Sequence, residues 1–175
     1  MDIYQIIMTH NRMWSKREIA VFSMVAVTAL VVVIHLIRYR KIWISQGIAT
    51  MLLIFFLGIV FGSTVFTRTA SPREYELVPF WSWREVILYH DMFLLHENLL
   101  NCILLMPVGI LLPLIAGHKV RLRTALMIGA LISAVIETSQ LVFMRGLFEW
   151  DDMIHNGVGC MIDCAGVNTV WRRKM

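Results

Sequence analysis

The run LISAVIETSQLVF, from Leu131 to Phe143, sets Glu137 and Gln140 into a stretch otherwise fit for lipid. A carboxylate in hydrocarbon is costly unless it is hydrogen-bonded or paired, so this acid demands partners, and it is then a candidate to hold or transfer a proton. Polar side chains recur in two other apolar segments, as Asn98 and Asn101 in NLLN and as Asp152 and Asn156 in DDMIHN. An asparagine amide can donate to a carboxylate or accept from a carboxylic acid. The intervening RGLFEWDD supplies Arg145, Glu149, Asp151 and Asp152, with Arg145 as the one cation and natural counter-ion. Glu137 and Asp152 are the candidates for general acid or base. Asp152 also opens a helix, where a carboxylate caps free amides, so capping and a direct role both stand. Asn98 and Asn101 stand equally between interhelical hydrogen bonding and function.

Depth and face arithmetic bring these residues together. At 1.5 Å per residue, Glu137 lies roughly 21 Å beyond Arg123, and Asn101, on an antiparallel helix, roughly 25 Å beyond His118. Asp152 opens the last helix at that same level, with Asn156 one turn deeper. Ser133, Glu137 and Gln140 share one face, as do Asp152, Asn156, Gly159 and Asp163. The predicted ligand-binding set is Asn98, Asn101, Glu137, Gln140, Arg145, Glu149, Asp152 and Asn156, with Asn98, Asn101 and Asn156 as partners of Glu137.

Other chemistry finds less support. His155 follows Asp151 by four, and His90, His96 and Glu97 cluster, but no complete metal set occurs at diagnostic spacing. No metal and no cofactor are expected. Ser133 and Ser139 have no base within reach in sequence, and catalytic motifs are absent. Cys102, Cys160 and Cys164 lie in apolar runs and read as small hydrophobes.

The elements that must position these groups are membrane helices. The 175 residues are 58% hydrophobic and 16% charged, with mean hydropathy +0.70, too apolar for a soluble domain of this length. The net charge of +4 comes from basic clusters between apolar segments, which fits membrane topology and excludes a nucleic-acid partner. Ile19–Ile37, Ile42–Phe66, Asn98–Ala116 and Ala125–Met144 approach or exceed the roughly 20 residues that span a bilayer. Met153–Trp171 has the length but contains His155, Asn156 and Asp163. The expected fold is all-α and polytopic, about five transmembrane helices, with an N-terminal segment 1–18 and one membrane domain 19–175. Ile19–Ile37 is too long for a signal-peptide core and is predicted to stay.

Arg38, Arg40 and Lys41, then Lys119, Arg121 and Arg123, then Arg172, Arg173 and Lys174 mark alternate ends as basic, nine residues against seven elsewhere. The positive-inside rule then favours N-out, C-in. Small residues at Gly58 and Gly62, and at Ala125, Gly129 and Ser133, predict close helix contacts, while Pro107 and Pro113 bracket an expected kink. Tyr75, Phe80, Trp81, Trp83 and Tyr89 predict an aromatic-rich interfacial loop whose role is anchoring.

NLLNCILLMPVGILLP, IETSQLVF and RGLFEWDDMIHNGVG together resemble the VanZ-like family of small bacterial membrane proteins, from about Leu77 to Gly166. The family's recurring elements fall on Asn98, Pro107, Gly109, Glu137, Gln140, Arg145, Asp152, Asn156 and Gly159. Glu149 departs from it, standing where the family often has Asp. The resemblance implies the bacterial cytoplasmic membrane and association with glycopeptide resistance, notably to teicoplanin. Three functions are consistent with these readings. The first is a factor that binds drug, membrane lipid or lipid-linked cell-wall precursor at the outer leaflet. The second is a membrane enzyme acting on a lipid-linked or cell-surface substrate through Glu137 or Asp152. The third is a small transporter or proton relay through Glu137 and Asp163. The oligomeric state stays open.

Overall fold

The computed structural model describes residues 13–172, with side chains to Val170; Arg12, Arg173 and Lys174 of the charge reading lie outside them. Its elements are α1 (Lys16–Arg38), α2 (Ile44–Phe61) closing in a π-turn at Gly62–Phe66, β1 (Glu74–Glu76), α3 (Trp81–Tyr89), α4 (Met92–Leu104), α5 (Met106–Ala116), α6 (Leu122–Phe143), β2 (Leu147–Glu149) and α7 (Trp150–Arg172). Helix α1 starts at Lys16, earlier than Ile19, because Ser15 and Glu18 form a reciprocal capping box.

Among the described residues, four helical stretches, Lys16–Arg38, Ile44–Phe66, Met92–Ala116 and Leu122–Phe143, are long and apolar enough to cross a membrane. The fifth, α7, has 23 residues but falls short in apolarity. It packs against α4, α5 and α6, burying Asp151, His155, Asn156, Cys160 and Cys164. A helix shielded by other helices need not match lipid, which is how it carries so many polar groups. Five spans is therefore a slight overcount: four helices among the described residues suit lipid, and the polar fifth packs against the third and fourth of them.

The third span is two helices. Chain direction breaks at Leu105 (φ −102, ψ 10), with Pro107 in the first turn of α5, whereas Pro113 lies inside α5. Its start is Met92 rather than Asn98, because Asp91 accepts from the amides of Phe93 and Leu94 at 2.9 and 3.1 Å. The all-α fold carries one small addition. β1 and β2 form a short parallel ribbon, with Glu76 opposite Glu149, tying the α2–α3 connection to the α6–α7 connection.

The basic loops meet at the opposite end. Gln46 donates to the carbonyl of Ile115 at 2.9 Å, and Asn168, near the end of α7, donates to the carbonyl of Val120 at 2.7 Å and accepts from its amide at 3.2 Å. Arg38, Arg40 and Lys41 thus share one face of the bundle with Lys119, Arg121 and Arg123. The predicted small-residue contacts hold: a Cβ on Gly58 would stand 1.9 Å from Phe22, one on Gly62 1.9 Å from Trp14, and one on Gly129 2.7 Å from Cys160. The apolar core is centred on Leu105, Val108, Ala125, Cys160 and Cys164.

Candidate functional site

At the end away from the basic loops, α2, α3, α4, α6, β2 and α7 enclose a cavity of about 170 Å³. Asn101, Glu137, Gln140, Glu149, Asp152 and Asn156 line it, as the depth and face arithmetic predicts. Thr64, Arg68, Trp81 and Glu97 join them, with Leu94, Leu104, Ile136 and Leu147 supplying apolar wall.

Three of the acids each receive a specific donor. Glu137, 3% exposed, accepts from the backbone amide of Glu149 at 3.1 Å. The Glu149 carboxylate accepts from the indole of Trp81 at 2.9 Å, and Asp152 accepts from the Asn101 amide at 2.5 Å. Asn156 donates instead to the Ser133 hydroxyl at 3.0 Å, leaving its own carbonyl oxygen buried and unpaired. Of the asparagines expected to hold Glu137, Asn101 and Asn156 therefore serve other groups, and a strand amide takes their place. Gln140 donates to the Thr64 carbonyl at 3.1 Å, docking α6 on the π-turn. Such turns recur at functional sites.

Two predicted residues stand elsewhere. Asn98 is buried with an unpaired amide nitrogen but is not among the cavity-lining residues. Arg145 does not meet Asp152: its guanidinium donates to the Arg68 carbonyl and its amide to the Gln140 carbonyl. The cation facing Glu97, Glu137 and Asp152 is Arg68. A Cβ on Gly146 would come within 2.6 Å of the Arg68 guanidinium, so Gly146 leaves that group its space. Arg145 holds the loop from which Arg68 reaches inward. Asp163 is absent from the cavity lining, which leaves the relay reading without its second station there.

The aromatic loop does more than anchor. Helix α3 begins where Asp151, 1% exposed, accepts from the amide of Phe80 at 2.5 Å, the amide of Ser82 at 3.1 Å and the hydroxyl of Ser82 at 2.5 Å. This platform aims Trp81 at Glu149 and Trp83 at His155, whose Nε2 accepts at 2.7 Å. A Trp indole only donates, so His155 is neutral with its proton on Nδ1.

Burial, followed by the charges of Asp152 and Glu97, pushes the Glu149 carboxyl from the ordinary 4.5 up to about 7, against the lowering effect of the Trp81 hydrogen bond. The unfolded chain loses this proton near 4.5 and the folded chain near 7, so the contribution to stability is full below 4.5 and declines as pH rises to about 7. The melting temperature in detergent micelles should fall across that window, and Glu149→Gln should flatten the fall. Equal slopes for the two proteins would show that Glu149 titrates as an ordinary surface acid.

Four helices among the described residues able to cross a bilayer, a polar helix packed against the last two of them and an acid-rich cavity at one end define a multi-pass membrane protein with a site inside its bundle. The family model described as VanZ/LLP1 matches residues 24–169, and the chain belongs to that family. The match takes in the first two helices as well as the segment where the motifs lie. No curated protein and no solved structure matches the chain.

Proposed function

We propose that this protein is a bacterial envelope factor that binds the polar head of a membrane-resident amphiphile, a lipid-tailed glycopeptide, lipid or cell-wall precursor, at the outer leaflet, and thereby lowers glycopeptide action. One observation carries the reading: a cavity lined by Glu97, Glu137, Glu149, Asp152 and Arg68 lies inside a bundle whose outer helix faces are apolar. Buried charge of that density is expensive to maintain and in membrane proteins goes with function. The shared basic end, read by the positive-inside rule, supports a cavity facing the outer side of the cytoplasmic membrane, N-out and C-in. At about 170 Å³ the cavity is smaller than the roughly 300–1,000 Å³ of drug-sized pockets, so it takes a headgroup or one substituent of a drug, not a whole glycopeptide.

Expression in a teicoplanin-susceptible bacterium tests this. The wild-type chain should raise the inhibitory concentration by about tenfold, and Glu137→Leu should abolish the gain at equal membrane abundance. Unchanged resistance with Glu137→Leu would make the acid structural.

A second reading, catalysis on a lipid-linked substrate, is favoured by the raised Glu149 carboxyl beside Asp152 and Glu137. One protonated and one ionised carboxyl make a general acid and base pair. Turnover of radiolabelled lipid by purified protein separates catalysis from binding.

A further inference from the structure

We infer that the cavity takes a primary ammonium, and specifically the headgroup of an aminophospholipid, with the ammonium among Glu137, Glu149, Asp152 and Asn156 and the phosphate at Arg68. This rests on the reading that the cavity binds an amphiphile's head, and it names the chemistry of that head.

The hydrogen-bond inventory points to a donor-rich cation. The side-chain amide of Asn101 is committed to Asp152, the indole of Trp81 to Glu149 and the amide of Gln140 to Thr64. Beyond Arg68 and the second N–H of each amide, what remains is acceptor capacity. An ionised carboxylate offers about four lone-pair sites, and Glu137, Glu149 and Asp152 each accept one hydrogen bond from the surrounding protein. An independent feature agrees with them. Asn156, which lines the cavity and is 2% exposed, spends its amide nitrogen on Ser133 and keeps its carbonyl oxygen buried without a donor. Buried acceptors left unpaired are costly, and three carboxylates with one amide oxygen give every one of the three N–H bonds of an ammonium an acceptor.

Charge selects among donors. Four acids against one arginine leave an excess of negative charge whenever more than one acid is ionised. A neutral polyol would bring donors without compensating it. No group of three or more described His, Cys, Asp or Glu side chains is placed to hold a metal ion. Arg68, the cavity's cation, offers a guanidinium suited to a phosphate. An ammonium joined to a phosphate by two carbons presents both charges at once, and the apolar wall at Leu94, Leu104 and Ile136 can meet the start of the lipid's tails.

The test uses the full chain in neutral detergent and reads the thermal shift and tryptophan fluorescence, because Trp81 lines the cavity. Short-chain phosphatidylethanolamine should bind about tenfold more tightly than its N-acetylated form, phosphatidylcholine or phosphatidylglycerol, since these lack the ammonium or its N–H donors. Arg68→Gln should weaken the lipid and leave free ethanolamine unchanged, which separates a headgroup site from a simple amine site. Equal binding of the four lipids would overturn the ammonium assignment and keep headgroup recognition. Binding of a lipid-tailed glycopeptide with no phospholipid would also overturn it while sparing the broader reading. Failure of every amphiphile would remove both. The lipid comparison needs no variant, so a misfolded mutant cannot obscure it.

Discussion

Gly159→Ala should cost about 3 kcal/mol or more and deplete folded protein from the membrane, although it adds one methyl group. A Cβ there would lie 1.8 Å from the backbone oxygen of Cys102 in α4 and 2.8 Å from its carbonyl carbon. The obstacle is main chain, which cannot rotate away as a side chain would. The next residue makes the reciprocal contact: a Cβ on Gly109 of α5 would meet the Cys160 carbonyl oxygen at 2.1 Å. One stretch of α7 is thus pressed between α4 and α5 on both sides of the break at Leu105, and a methyl on either glycine pries α7 outward. Melting temperature in detergent and the monodisperse fraction measure the loss. Gly166→Ala is the control, since a Cβ there meets nothing within 4 Å. Helix propensity alone predicts a gain of up to about 1 kcal/mol for it. If Gly159→Ala melts like Gly166→Ala, the close approach of α4 and α7 is wrong.

Asp151→Ala should release α3 from the bundle. Three donors at the start of that helix lose their acceptor, and Ser82, 3% exposed, cannot turn to water instead. Leaving buried donors unsatisfied costs about 1–3 kcal/mol each, and removing one member of a buried charged network about 3–5 kcal/mol in total. The damage passes on to the cavity, because α3 carries the indoles bound to Glu149 and His155. Protease cleavage between residues 77 and 91 should rise sharply, and acrylamide should quench tryptophan more strongly. Asp151→Asn, which keeps one acceptor oxygen, should fall between alanine and wild type. Unchanged protection in Asp151→Ala would mean that α3 is held by lipid contacts alone.

Helical periodicity made much of the site readable in advance. Asn101, Glu137, Gln140, Asp152 and Asn156 converge because rise and rotation per residue are nearly constant within a helix, so depth and face follow from counting. What failed lies where that regularity ends. Arg68 and Arg145 both sit in connections, and no periodic rule says which one turns inward. Glu137 takes a backbone amide from β2, a donor that every residue owns and that a search among polar side chains passes over. Trp81 and Trp83 resemble interfacial anchors in composition, and only the Asp151 hydrogen bonds, reaching some 70 positions along the chain, show where their indoles are aimed. Hydropathy misjudged α7 for a related reason: it scores the residue, while tolerance depends on whether lipid or protein lies next to it.

The central place of α7 also bears on how the molecule is made. Ribosomes deliver helices in order, and the one that fills the middle of this bundle emerges after α1 to α6. Until β2 and α7 arrive, Glu137 has no amide from residue 149 and Ser133 no amide from Asn156. A chain that inserted α6 alone would leave its acid unsatisfied in the membrane. Insertion of α6 and α7 as a pair, joined by the short connection through β2, avoids that stage.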